Sequence, residues 1–178
     1  MSSPFGELVA IVNPRAGKGR VGEELPELER TLRARGLRYR FETTTGPGDA
    51  TRIARDALAT GSRFLVAVGG DGTVHEVVNG MLDGGVPIVP DAVLGVVAAG
   101  SGCDLVRTFG LPGDASRACL HLQGDNTYPL DLGRIRCEGP NGPVDRIFVN
   151  VAEAGLGGAV ADRAARLPRR LGQARYFV

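Results

Sequence analysis

Phe64-Leu65-Val66-Ala67-Val68, followed without a break by Gly69-Gly70-Asp71-Gly72-Thr73, decides the fold class. Five apolar residues suit a strand buried on both faces and are too few for a helix. The glycines stop the strand, and a helix is expected from Thr73 to Leu82. The same strand-to-helix unit stands on either side. Leu8 to Val12 is an apolar run ending at Asn13-Pro14, and Val21, Leu25, Leu28 and Leu32 mark the buried stripe of an amphipathic helix from Arg20 to Arg35. Leu37 to Thr43 reads as the second strand, Asp49 to Ala59 as the second helix and Val93 to Ala98 as the fourth strand, with helical turns at Asp104 to Thr108 and Ala115 to Leu122. Such alternation implies an α/β fold, a parallel sheet between two helical layers joined by right-handed crossovers. Ligands then bind beyond the carboxyl ends of the strands.

The texture changes near Asn126. Tyr128 to Cys137 and Val144 to Val151 read as strands joined by the turn Glu138-Gly139-Pro140-Asn141-Gly142-Pro143. Residues 1–126 are therefore expected to form the α/β domain and 127–178 the beginning of a β-rich second domain too small for its own core, so a partner, a second copy of the chain or further sequence is expected to cover it. The balance of 21 Lys plus Arg against 20 Asp plus Glu sets up no field to gather nucleic acid. Any bound anion must be held locally. Three cysteines without a C-x-x-C pair and two histidines argue against a disulfide framework or a transition-metal site, while a hard cation on carboxylates and phosphate oxygens fits. No secretory leader or spanning segment is visible, and the default expectation is a cytoplasmic protein.

Glycine supplies 27 of 178 residues, roughly twice the usual ~7%. Three glycine-rich segments follow strand ends and so converge on one edge of the sheet. Gly69, Gly70 and Gly72 let backbone N–H groups approach a phosphate, and the helix that follows adds partial positive charge. Thr73 and Glu76 have the spacing of a capping box. Asp71 is the odd member, because a carboxylate about 4 Å from a phosphate oxygen repels it by ~1 kcal/mol in water and ~4 kcal/mol at an effective dielectric of 20. A magnesium ion shared with the phosphates, or a proton taken from an attacking hydroxyl, removes that objection. An Asx-turn role is the bland alternative.

Asn13-Pro14-Arg15-Ala16-Gly17-Lys18-Gly19-Arg20 places cations and glycines at the first strand-to-helix junction, and Lys18 is the only lysine of the chain. Gly17 to Gly22 also matches G-x-G-x-x-G, so a nicotinamide-dependent oxidoreductase has to be weighed. The P-loop pattern fails, because Gly19 rather than Ser or Thr follows Lys18. Gly100-Ser101-Gly102-Cys103-Asp104 is the third segment. Ser101 is a candidate for a phosphate or adenine edge, and Asp104 for a ribose or a helix cap. Thr44 reaches the same edge from the second strand. Cys103 reads as a small buried residue, not a nucleophile.

At these residues the chain resembles the diacylglycerol kinase catalytic family, which includes bacterial lipid kinases and sphingosine kinases. Asn13 to Gly19 resembles its N-P-x-x-G-x-G loop, GGDGTVHEVVNG at Gly69 to Gly80 its G-G-D-G-T-x-x-E-x-x-N-G segment, and AGSGCDLVR at Ala99 to Arg107 its third signature. Asp131-Leu132-Gly133-Arg134 resembles the opening of its second domain. The resemblance implies a Rossmann-like nucleotide-binding domain that uses ATP and Mg2+ to phosphorylate a lipid hydroxyl of the diacylglycerol or sphingoid-base kind. It implies nucleotide contacts from Thr44, from Gly70 through Asp71, Gly72, Thr73, Val74 and His75 to Glu76, and from Ser101. Asp71 is then the catalytic residue nearest the transferred phosphate and the candidate metal ligand. NAD kinases share the glycine-aspartate signature and are the nearest rival, and a noncatalytic nucleotide-binding module is another.

Family members are longer than this chain, which implies that Val178 falls inside the second domain and that the fragment binds nucleotide without complete catalysis. Arg163, Arg166, Arg169, Arg170 and Arg175 read either as a peripheral membrane contact or, preferably, as a solvated helix face.

Overall fold

The computed structural model describes residues 3–98, 103–113, 115–139, 142–152 and 155–167. Along the chain β1 (Leu8–Val12), α1 (Arg20–Ala34), β2 (Tyr39–Thr43), α2 (Asp49–Ala59), β3 (Phe64–Gly69) and α3 (Asp71–Gly80) alternate as expected. A short antiparallel pair, β4 (Leu82–Asp83) and β5 (Val86–Pro87), leads to β6 (Val93–Ala98), α4 (Asp104–Thr108) and α5 (Ala115–Ala118). The hairpin of β7 (Gly133–Gly139) and β8 (Gly142–Phe148) and the helix α6 (Leu156–Arg166) follow.

The main sheet is parallel, in the order β2-β1-β3-β6. β1 lies at its centre with Leu8 beside Tyr39 and Phe64, and Val12 beside Thr43 and Val68. Every residue of β1 and β3 is buried, as strands covered on both faces must be. Their side chains alternate between two clusters with the period of two that a strand imposes. Val9, Ile11, Leu65 and Ala67 pack under α2 and α3, and Leu8, Ala10, Val12, Val66 and Val68 under α1 and α5.

Where α2 crosses α3 the backbones nearly touch. A Cβ on Gly80 would stand 2.4 Å from the Thr51 carbonyl oxygen and 2.7 Å from the Ala54 Cβ. Beside it, Thr51 Oγ1 donates to the Glu76 carbonyl at 2.9 Å.

Several boundaries depart from the sequence reading. α3 begins at Asp71 because Gly70 takes the cap position with extended φ −99°, and its carbonyl accepts the N–H groups of Thr73 (2.9 Å) and Val74 (3.1 Å). Thr73 thus lies inside the first turn, and the expected Thr73–Glu76 capping box does not form. β2 starts at Tyr39 because Leu37, 5% exposed, closes the end of α1 by donating to the Leu32 carbonyl at 3.1 Å. Tyr128 stays outside the hairpin, exposed and followed by Pro129, which has no N–H to give to a ladder. Asn150 at φ 79° turns the chain off beyond β8, before the expected strand end at Val151. The expected turn residues Pro140 and Asn141 lie outside the described residues. So do Arg169, Arg170 and Arg175, while Arg166 on α6 is exposed and paired with Asp162 at 2.7 Å. Among the described residues no helix is long and apolar enough to cross a membrane.

Overpacking a helix crossing costs roughly 1–3 kcal/mol. Gly80→Ala is therefore expected to destabilise the chain by an amount of that order, read as a lowered urea midpoint at unchanged m-value.

Candidate active site

The order β2-β1-β3-β6 reverses direction between β1 and β3, since the chain leaves β1 toward β2 on one side while β3 pairs on the other. The loops after β1 and β3 therefore diverge, and a crevice opens beyond the strand ends. Asn13 spans it at the base. Its N–H donates to the Val68 carbonyl at 3.0 Å, its Nδ2 to Thr73 Oγ1 at 3.2 Å, and its Oδ1 accepts the Arg15 N–H at 3.1 Å. Thr73 is buried, and a Cβ on Gly69 would overlap its hydroxyl. Asn13, Gly69 and Thr73 thus form a packed joint between the two loops.

Above that joint the first loop adopts a strained form. Gly17, Lys18 and Gly19 have φ of 60°, 65° and 96°. For a lysine this left-handed conformation costs roughly 1–2 kcal/mol and is held only by its surroundings. Across the crevice, Gly70 and Gly72 are different from Gly69. A Cβ at either would meet nothing within 4 Å, and neither is at positive φ. The fold requires glycine at neither position, although glycine is among the favoured residues at the cap position that Gly70 holds. In the first turn of α3, Gly72 even costs up to ~1 kcal/mol of helix stability against alanine.

Asp71 is exposed, yet its carboxylate has partners in the chain. The Asp104 N–H donates to Oδ1 at 2.9 Å and to Oδ2 at 3.2 Å, and the Leu105 N–H to Oδ1 at 3.4 Å. One carboxylate from α3 thereby caps α4. Among the described residues neither the alternative of a local Asx-turn at Asp71 nor a cap by the Asp104 side chain is seen. The Asp104 side chain instead meets Arg107 at 2.9 Å. Cys103, next in line, is buried, and desolvation first and the Asp71 charge second push its thiol up to about 11, against any nucleophilic role. Gly100 and Ser101 lie outside the described residues.

The remaining candidates serve as supports. Val74 is wholly buried under the sheet. Glu76 Oε2 accepts the Ala50 N–H at 3.2 Å and so holds the start of α2. Thr44 is buried at the end of β2, its N–H on the Val12 carbonyl at 2.9 Å. The loop after it is closed by Asp49, whose carboxyl lies below its usual range because the Thr45 hydroxyl and N–H and the Gly46 N–H donate to it. Sequence reasoning passed over Asp49 as a site-shaping residue, although T-x-x-x-D before a helix is a visible signal. His75 is half-buried, with Asn79 Nδ2 at 3.5 Å from its Nε2.

Burial, and then Arg146, hold the His75 pKa below the ordinary 6.5, with Glu76 opposing. Burial does the same to His121. Such groups bind protons less readily in the folded chain than in the unfolded one. Their contribution to stability is complete above pH 6.5 and declines as pH falls from there toward the lowered values. Urea midpoints are expected to drop between pH 7.5 and 5.5, with a shallower drop in a His75→Gln, His121→Gln double variant.

The family model for the diacylglycerol kinase catalytic domain matches residues 7–135, which include both loops, α3 and α4. The chain belongs to that family. It is 31% identical over 170 residues to a diacylglycerol kinase of Bacillus subtilis, covering 94% of this chain and 52% of that protein. A diacylglycerol kinase of Mycobacterium tuberculosis is 31% identical over 176 residues, 98% of this chain and 54% of its own. The crystal structure of a diacylglycerol kinase from Bacillus anthracis superposes with TM-score 0.61 at 28% identity, over 73% of this chain and 46% of that one. The chain thus spans about half the length of the curated relatives it matches. Membership of this family runs against the oxidoreductase reading of Gly17 to Gly22.

Proposed function

We propose that the crevice between the loops after β1 and β3 binds ATP with magnesium. In the whole kinase its terminal phosphoryl group passes to a lipid hydroxyl of the diacylglycerol or sphingoid-base class. The observation that carries this reading is the open space over Gly70 and Gly72, two glycines that neither backbone conformation nor packing requires. A polyphosphate lying against bare backbone there makes sense of them. The N-terminus of α3 contributes partial positive charge, and Gly17, Lys18 and Gly19 belong to the loop after β1 at the same strand-end edge. Thr44, Gly100, Ser101 and Asp104 are the candidates for the rest of the nucleotide.

Magnesium needs one or two carboxylates besides the phosphates. Asp71 fits that need: it is exposed at the crevice, and the N–H groups of Asp104 and Leu105 occupy part of its acceptor capacity and leave the rest. When bound, the ion would neutralise polyphosphate charge. The transfer joins the acceptor oxygen to the terminal phosphorus, breaks the bond to the bridging oxygen and releases the hydroxyl proton. Asp71 is the carboxylate placed to hold that proton or the ion. A module that binds nucleotide without transferring it is the second reading, favoured by the engagement of the Asp71 carboxylate as the cap of α4.

Gly72→Ala is expected to raise thermal stability slightly, by about 0.5–1 kcal/mol, and to weaken Mg-ATP binding at least tenfold by titration calorimetry. Unchanged affinity in Gly72→Ala and Gly70→Ala together would remove the basis of the reading. A radiolabelled transfer assay on diacylglycerol and sphingoid bases separates kinase from module.

A further inference from the structure

We infer that Asn79 is a positioning residue: its side-chain amide docks the β7–β8 hairpin on α3 and so fixes the hairpin relative to the phosphate crevice. Asn79 Nδ2 donates to the Ile147 carbonyl at 2.8 Å, and the Ile147 N–H donates to Asn79 Oδ1 at 3.2 Å. One side chain thus satisfies both main-chain groups of a β8 residue, as a neighbouring strand would. The same Nδ2 also donates to the His75 carbonyl at 2.9 Å, one turn back on α3, which holds the amide in orientation.

This fastening matters because the hairpin has little else. β7 and β8 pair with each other and form a sheet separate from the main one. An isolated two-stranded hairpin is marginal in water. Ile147 is the hairpin residue that enters the α2–α3 cluster, at 9% exposure. A second tie comes from Arg134, whose Nη1 donates to the Gly84 carbonyl at 2.8 Å while Nε and Nη2 are held by Asp145, each at 2.7 Å. An open groove lined by Asn79, Gly84, Arg134 and Asp145 runs between the two ties, so side-chain bonds rather than continuous packing join the layers there.

The consequence for the site follows from α3 itself. Asp71 opens the helix and Asn79 stands near its other end, about 12 Å away at ~1.5 Å per residue. A rigid helix therefore references the hairpin to the carboxylate at the crevice. On the proposed kinase reading, on which this last step rests, the hairpin is assigned to acceptor binding, and Asn79, whose bonds run to His75 and Ile147, affects that binding without touching nucleotide. Aspartate at this position keeps the acceptor for the Ile147 N–H, loses the donor and sets negative charge against the Ile147 carbonyl.

Residue-resolved amide hydrogen exchange on the 178-residue chain tests the inference, with Val66 in β3 as the reference for global opening. Asn79→Ala should speed exchange at Ile147 at least tenfold and at Val66 less than twofold, with Asn79→Asp in between. Mg-ATP affinity should stay within threefold. An unchanged Ile147 rate, or equal acceleration at Val66, overturns the inference. In preparations that transfer phosphate, the acceptor KM should rise at constant ATP KM, and a joint rise of both also overturns it. Wild-type chain that fails to bind Mg-ATP would sink the kinase reading and leave the exchange result standing.

Discussion

Reversal of strand order between β1 and β3 is the constraint on which the site depends. Both strands are central, parallel and wholly buried, so the chain leaving each must turn to opposite sides. The sheet cannot close over the gap this leaves, and two glycine-containing loops meet there. Asn13 holds them in register from below through Val68 and Thr73. Without that pin, Lys18 and Asp71 would belong to unconnected loops.

The glycines of GGDGTVHEVVNG divide by physical cause. Gly69 and Gly80 are imposed from within, by the Thr73 side chain and by the close crossing of α2 and α3. Gly70 and Gly72 face open space at ordinary backbone angles. A residue whose absence of side chain does nothing for the fold points outward, to whatever approaches it. One motif therefore contains two kinds of glycine, one that the packing requires and one that it does not.

α3 connects these parts. At its first residue Asp71 reaches across to cap α4; in its middle Glu76 holds the start of α2; near its end Asn79 grips β8. Each tie is a polar side chain meeting main-chain groups, which is how a short helix whose valines are buried in the core also organises the segments around it. The same arrangement explains why the run from Val74 to Glu76 supports the crevice from behind more than it lines it.

Much of this was legible in the chain. Apolar runs of five residues separated by helical stripes announced the alternation of β1, α1, β2, α2 and β3, and the glycine segments announced the edge at which they converge. Boundaries were legible where the ending residue acts on its own neighbours, as at Val12, and not where tertiary contact decides them. Leu37 looks like strand until it packs against the end of α1, and Thr73 looks like a cap until Gly70 takes that place. What Asp71, Glu76 and Asn79 bond to could not be read, because their partners lie 25 or more positions away in sequence.

Sequence by itself determined the α/β class, the edge at which the loops after β1 and β3 lie and the family signature, since periodicity and local spacing are properties of neighbouring residues. Tertiary structure alone decided the strand order that opens the crevice, which glycines are free of the fold, and the seam through Asn79 and Arg134. Those depend on which main-chain groups are left unpaired when distant segments meet, and no window of adjacent residues contains that information.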